Sequence, residues 1–423
     1  MQEDFLHYLW QYKKFDILNI KTSNQESISI LSVGQHNLNS GPDFFNSKLK
    51  IGDQLWAGNV EIHINSSDWY VHNHENDAAY DNVILHVVWE HDTDVFRKDN
   101  VVIPTLELKY FVEKKALANY HNLFSKPGTW VNCESDFINI DDFTIKNWLE
   151  RLYFERLERK AFDINALLLE SKNDWEAVLF KMLAKSFGSR VNGDAFLSIA
   201  KSANFSVVRK LQSKQMQLEA LFFGQSNLLD KEVEEAYVKE LLKEYTFLQQ
   251  KFKLQKEGVS PIQFFRLRPP NFPTIRLSQL ARLYCSEQNI FSKVIDTNTL
   301  SDFYNLFAVS TSAFWETHYT FNKVSKSRKK IVAKPFIDLL LINTIIPLKF
   351  SYAKYQGKQI DDSIIKLISE LKSEKNNIVN KFNSLKKVSF SALDSQGLIQ
   401  LKNEYCSKNK CLQCAIGSKL LNK

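Results

Sequence analysis

Gly41-Pro42-Asp43-Phe44-Phe45 and, after a short basic and apolar spacer, Gly58-Asn59-Val60-Glu61-Ile62-His63-Ile64 read as the two limbs of one β-hairpin. In the second limb Val60, Ile62 and Ile64 alternate with Asn59, Glu61 and His63. An extended chain therefore carries three apolar side chains on one face and an amide, a carboxylate and an imidazole on the other. The β-branched residues suit a strand. In the first limb Pro42 fixes its own φ and biases Gly41 toward extended or turn geometry, which leaves Asp43 at a strand entrance. Gly52-Asp53-Gln54 supplies the turn. Pairing across such a hairpin returns Glu61 to the level of Asp43.

Two converging carboxylates beside a base suit a hard cation. Mg²⁺ or Mn²⁺ takes one or two protein carboxylates, keeps waters and accepts phosphate oxygens. The string Pro42-Asp43, spacer, Glu61-Ile62-His63 resembles the signature of the PD-(D/E)XK (restriction-endonuclease-like) nuclease superfamily. That resemblance implies a mixed α/β sheet, metal binding by Asp43 and Glu61, an accessory acid from the first helix (Glu3), and hydrolysis of phosphodiester bonds in DNA, with RNA not excluded. The superfamily usually places Lys where this chain has His63. Strict alternation points Lys48 and Lys50 away from the Asp43 face unless a bulge intervenes. The departure leaves open a catalytically inactive nucleic-acid-binding or scaffold protein. An alternative for Glu3 is a helix N-terminal carboxylate facing the macrodipole.

Nearly the whole chain also resembles an uncharacterised bacterial domain-of-unknown-function family. The strings that carry this are Gly41-Pro42-Asp43-Phe44, Val60-Glu61-Ile62-His63, Ser67-Asp68-Trp69, Leu85-His86-Val87-Val88 and the tail from Tyr405-Cys406 through Cys411, Cys414 and Gly417. This resemblance implies a bacterial cytoplasmic protein and brings no activity with it.

The chain has 423 residues, enough for two or three domains. Its 44% hydrophobic and 24% charged content is that of a globular protein. The acidic start Met1-Gln2-Glu3-Asp4 does not fit a secretory n-region. The longest apolar run, Phe336 to Leu348, is interrupted by Asp338, Asn343, Thr344 and Pro347, too short and too polar for a membrane span. Five cysteines do not make a disulfide framework. Cytoplasmic location and no membrane partner are the expectations. The net charge of +7 is uneven: residues 1–120 hold 10 Lys/Arg against 17 Asp/Glu, so the rest is strongly basic. A basic body that holds a polyanion is one account, and an ordinary solvated surface is the other.

Three segments are expected: an α/β domain over 1–122 and helical domains over 136–255 and 256–423. In the first, a helix from Glu3 to about Tyr12 precedes strands at Ile17–Ile20 and Ser27–Val33, then the hairpin. Ser66 to Asp77 reads as a polar loop, Val83–Trp89 as a buried strand, and Val101–Leu108 as an edge strand because of Pro104. His63, His72, His74 and His86 make a second possibility: a His-ligated Zn²⁺, Fe²⁺ or Mn²⁺ enzyme with a cupin-like site acting on a small molecule. Plainer accounts are a satisfied core histidine for His86 and an exposed loop for His72 and His74.

Ser125-Lys126-Pro127-Gly128 marks the first boundary. Asp141 or Asp142 is placed to cap a following helix. Further helices are expected near 174–188, 191–202, 206–222 and 231–253. Four prolines then interrupt the chain between Pro261 and Pro273, and a single amphipathic helix is expected from Ile364 to Leu385. Arg266 and Arg268 beside aromatics, and the run Lys326, Arg328, Lys329 and Lys330, are candidate nucleic-acid contacts or exposed loops. Cys406, Cys411 and Cys414 are spaced C-x4-C-x2-C, a candidate zinc or iron–sulfur site with a fourth ligand from Cys285 or Cys133. Three reduced thiols on a terminal turn are the alternative.

Overall fold

The computed structural model describes residues 1–125, 128–229, 234–358 and 362–423. The boundary expected at 125–128 and the start of the helix expected from 231 fall partly outside them. The chain forms two compact units, the first from Met1–Trp148, Ser384–Lys386 and Leu401–Lys423, the second from Leu149–Asn383 and Lys387–Gln400. The expected cut at 255/256 has no counterpart. One continuous apolar core runs from Tyr153 to Leu393, and the C-terminal segment returns to the first unit.

The first unit is built on a mixed sheet. Helix α1 (Glu3–Gln11) precedes β1 (Ile28–Ser32), β2 (Gln35–His36), β3 (Phe44–Ile51), β4 (Gln54–Asn65), the single turn α2 (Asp68–Val71), β5 (Val83–Glu90) and β6 (Thr105–Glu107). The strand order is β1-β3-β4-β5-β6, with β2 also on β3. The pairs up to β3–β4 are antiparallel; β4–β5 and β5–β6 are parallel. The expected strand at 17–20 is absent: Leu18 is exposed and the local pairing is the bridge Lys21–Ser27. Pro104, with no N–H to offer, does immediately precede the edge strand β6. Parallel pairs in an open sheet also exclude the antiparallel jelly roll that a cupin-like site needs.

Both faces of β4 are covered. Val60 and Ile62 are fully buried, and so, almost, are Glu61 at 5% and His63 at 1% exposure. The β3–β4 turn is Gly52-Asp53, with Gly52 at φ +57° between the paired Ile51 and Gln54. The pairing slips by one residue between Phe44 and Ser47, a bulge at which Asn46 takes φ +57°. The bulge turns Lys48 and Lys50 onto the Asp43 face. It does not bring them to the site, because Lys48 lies opposite Ala57, four residues or about 13 Å along β4 from Glu61. Gly58 is where the β5 chain comes close: a Cβ there would stand 2.5 Å from Ile84 Cγ2 and 2.7 Å from the Asn82 carbonyl oxygen. Gly58→Ala is expected to cost about 1–3 kcal/mol, read in urea unfolding of the full chain.

Among its described residues the second unit is mainly helical, with a short hairpin of His318–Thr320 and Lys323–Val324. Its helices include Trp175–Phe187, Ser189–Lys201, Gln215–Gln225, Ala236–Phe252 and Pro273–Ser286. The helix expected at 206–222 is broken at 212–214, where Lys214 is extended. The one expected from Ile364 to Leu385 is two, Asp362–Glu370 and Asn377–Leu385. The segment Lys334–Tyr355 is long and apolar enough, by length and composition, to cross a membrane; 72% of that window is buried inside the protein. A π-helical turn at Leu341–Ile345 precedes Pro347, which has no N–H for a helical hydrogen bond. A buried acid, Glu219, accepts hydrogen bonds from the Ser278 and Tyr237 hydroxyls, and burial raises its pKa.

Candidate metal centre

The site is assembled by three pieces of sheet logic. Asp43 stands one residue before Phe44, which pairs with Val60, so Asp43 faces Glu61 across the ladder. Main-chain hydrogen bonds fix the two crosswise: the Asp43 amide donates to Glu61 Oε2 at 3.1 Å, and the Ile62 amide to Asp43 Oδ2 at 3.0 Å. The parallel pairing then puts His86 beside Glu61. Finally, a parallel connection needs a long crossover. Here it carries His72 and His74 back over β4. Trp69 anchors it in a small core with Tyr80, Val83, Val95 and Ile103, and Tyr80 stacks on His74 with ring centroids 3.7 Å apart. The segment read as a polar loop is thus helical turns, α2 and His74–Asn76.

The histidines form a connected set. His63 Nδ1 lies 2.8 Å from His86 Nε2, and His63 Nε2 lies 3.1 Å from His72 Nδ1. Glu61 Oε1 is 3.5 Å from His63 Nε2 and 3.3 Å from His74 Nε2. Among the described residues, His63, His72 and His74 can each offer a donor atom within 4.8 Å of the other two. His86 is fully buried, and its Nδ1 has no hydrogen-bond partner among the described residues. It is a buried histidine whose Nε2 orients His63, not the fully satisfied core histidine of the plainer account.

Helix α1 completes the set with two residues. His7 Nε2 stands 3.2 Å from Asp43 Oδ2, an ion-pair contact rather than an aligned hydrogen bond. His7 was not singled out in the sequence, although its spacing from Glu3 places both on one helix face. Glu3 sits close enough to Asp43 to feel its charge. A cleft of about 350 Å³, lined in part by Asp4, His7, His36, Lys408 and Lys410, lies within the same unit.

The electrostatics are those of acids crowded together. Burial, and then the Asp43 charge, push Glu61 up to about 9 and Glu3 up to about 7. Burial works against a charged His7, but Asp43 and its neighbours outweigh it and raise its pKa. Burial, reinforced by His74 and His72, holds His63 down at about 3, and burial with His63 holds His86 well below its usual value. His63 is therefore a neutral imidazole, the form that ligates metals. A carboxyl whose pKa is higher folded than unfolded binds more protons in the folded state. Its contribution to stability is present below about 4.5 and is lost as the pH rises toward 9. In chelator, the protein is expected to lose on the order of a few kcal/mol between pH 5 and pH 9, and Glu61→Gln to lose much less, by urea unfolding.

The remaining candidates fall elsewhere. Arg266, Arg268, Lys326, Arg328 and Lys329 are exposed in the second unit. Lys330 is buried and its ammonium donates to the Trp315 and Glu316 carbonyls, so it is not a phosphate contact. Cys285 sits in the second unit, partly buried against its core, while Cys406, Cys411 and Cys414 are in the first. The thiol beside those three is Cys133.

One protein family, described as "Protein of unknown function (DUF2851)", matches residues 3–377. No curated protein and no solved structure matches the chain.

Proposed function

The chain belongs to the DUF2851 family of proteins of unknown function, and within it we propose a metal-dependent hydrolase of phosphodiester bonds, with DNA as the expected substrate. The observation that carries this reading is the crosswise pairing of half-buried Asp43 with buried Glu61, with Glu3 close enough to act on both by its charge. Glu61 and Glu3, whose pKa values burial and the Asp43 charge raise, gain most from a shared divalent cation. Asp43 and Glu61 would hold Mg²⁺ or Mn²⁺, which supplies electrophilic activation of a phosphate oxygen and a lowered pKa for water. Around it the chain's own groups divide the work. Glu3 adds negative charge from α1. His63, neutral and held by His86, orients the attacking water. His72, 3.1 Å further on and exposed, is the group able to take the proton toward solvent. The mixed sheet with a helical remainder is compatible with the nuclease resemblance. The exposed basic residues of the second unit supply charge for a polyanion.

A second reading rests on the donor atoms of His63, His72 and His74, which suit Zn²⁺, Fe²⁺ or Mn²⁺. Incubation of the full chain with single- and double-stranded DNA and RNA, with Mg²⁺, Mn²⁺ or chelator, tests the first. Metal-dependent cleavage is expected. No cleavage of any substrate, with zinc or iron retained through purification and lost in His72→Ala, would favour the second.

A further inference from the structure

Four of the five cysteines meet in the first unit, although Cys133 is separated from the other three by more than 270 residues. Burial is the main influence on each thiol; Cys406 also feels the charge of Cys133, Cys414 and Cys411, Cys133 that of Cys414 and Cys411, and Cys414 that of Cys411. Cys285 belongs to the second unit. The surroundings are built for sulfur carrying negative charge. Asn132 Nδ2 lies 3.4 Å from Cys411 Sγ, and the amides of Ile416 and Gly417 donate to Cys414. These two amides open the last helix, Ala415–Leu421. Cys411–Gln413 forms one tight turn, closed by the Cys414 amide on the Cys411 carbonyl at 3.2 Å. The turn requires Gly417: a Cβ there would lie 2.0 Å from the Cys411 carbonyl oxygen. Neighbouring contacts hold the two ends of the chain in register. Lys402 donates to the Trp130 carbonyl at 2.9 Å, and Asn119 to that of Leu421 at 3.2 Å.

We propose that Cys133, Cys406, Cys411 and Cys414 are the ligands of one iron–sulfur cluster that clasps the C-terminal segment onto the first unit. Without metal, the four thiols are one buried and three partly buried groups of weak hydrogen-bonding power. Loss of their protons to a soft metal turns N–H···S contacts into charge-assisted bonds. The choice between metals follows from spacing. Structural zinc sites commonly draw two ligands from each of two short motifs. Here three come from C-x4-C-x2-C, the spacing of plant-type iron–sulfur sites, and one from far away, although Cys133 precedes the three rather than following them. The clasp also sets the course of residues 408–413, which line the cleft that His7 enters. It stands independently of the hydrolase reading.

The test uses the full chain purified anaerobically, with iron, zinc and acid-labile sulfide measured beside the visible spectrum. Iron and sulfide with charge-transfer absorption are expected. Both should be lost in Cys133→Ser and kept in Cys285→Ser. A variant that fails to fold loses metal trivially, so parent thiols are also counted with an aromatic disulfide. Cys285 alone should react in the native protein, and five thiols after chelation and denaturation. Zinc in place of iron, no cluster after reconstitution with iron and sulfide, or iron that survives Cys133→Ser but not Cys285→Ser would each overturn the assignment.

Discussion

Asp43→Ala and Glu61→Ala are each expected to lower metal-dependent phosphodiester hydrolysis by a factor on the order of 10³ or more. Removing an outer partner of a metal ligand already costs about 10–100-fold, and these two side chains would be the ligands themselves. Nucleic-acid binding should change little, because the exposed basic side chains Arg266, Arg268, Lys326, Arg328 and Lys329 are untouched. A second measurement separates loss of metal from loss of fold. A cation at 100 times its dissociation constant stabilises the parent by about 2.7 kcal/mol. That increment should vanish in both variants. The metal-free Glu61 variant should be more stable than its parent at pH 8, since it no longer holds a buried acid against Asp43. Cleavage equal to the parent would remove the hydrolase reading. Lost cleavage with intact metal stabilisation would move the ligands elsewhere.

The hairpin was legible because its signals are local. Period-two alternation, Pro42 before Asp43 and Gly52 at the turn each act over a few residues. Neither the bulge at Asn46 nor the break between Glu370 and Asn377 is local in that sense. Both reflect what the neighbouring elements demand: Asn46 N–H donates to Asn59 Oδ1 across the ladder, and Leu371 O accepts from Ala392 far along the chain. The cut expected at 255/256 lacks a counterpart for a similar reason. A proline-rich stretch looks like a linker in sequence, yet Pro273 opens a helix whose Ile275, Leu277 and Leu280 belong to the same core as Tyr153 and Leu393.

Within the site, Asp43, Glu61 and His63 could be found because one hairpin carries all three. His72, His74 and His86 could be named but not placed, since only the parallel β4–β5 pairing decides that His86 lies beside Glu61. His7 was missed: a lone histidine on an amphipathic helix carries no chemical signal until Asp43 is known to lie 3.2 Å away. Spacing along the chain does not decide between Cys285 and Cys133 for the same reason, since it says nothing of contacts across more than 270 residues.

His63→Ala is the variant that divides the two readings of the site. The ring gives both nitrogens to neighbours, His86 at 2.8 Å and His72 at 3.1 Å, and is 1% exposed. Its removal leaves His86, whose Nδ1 already lacks a partner among the described residues, as a buried imidazole with neither nitrogen bonded to them. A stability loss of about 1–3 kcal/mol follows from that alone. If Asp43 and Glu61 hold the cation, Mg²⁺ or Mn²⁺ should still stabilise the variant, while turnover falls by about 10²–10⁴ with the loss of the group that orients water. If the histidines hold it, zinc or iron stabilisation disappears with the ring. His63→Lys tests the inactive alternative, because lysine is the usual residue of the superfamily that the motif resembles. The buried ammonium would replace a neutral ring whose pKa burial holds near about 3, so it must draw its compensation from Glu61, Asp43 and Glu3. Activity above the parent's would mean that those acids were arranged for a cation from the chain, and that this protein has lost it. Activity below the parent's, with His63→Ala lower still, would mean that the imidazole has its own place in the reaction.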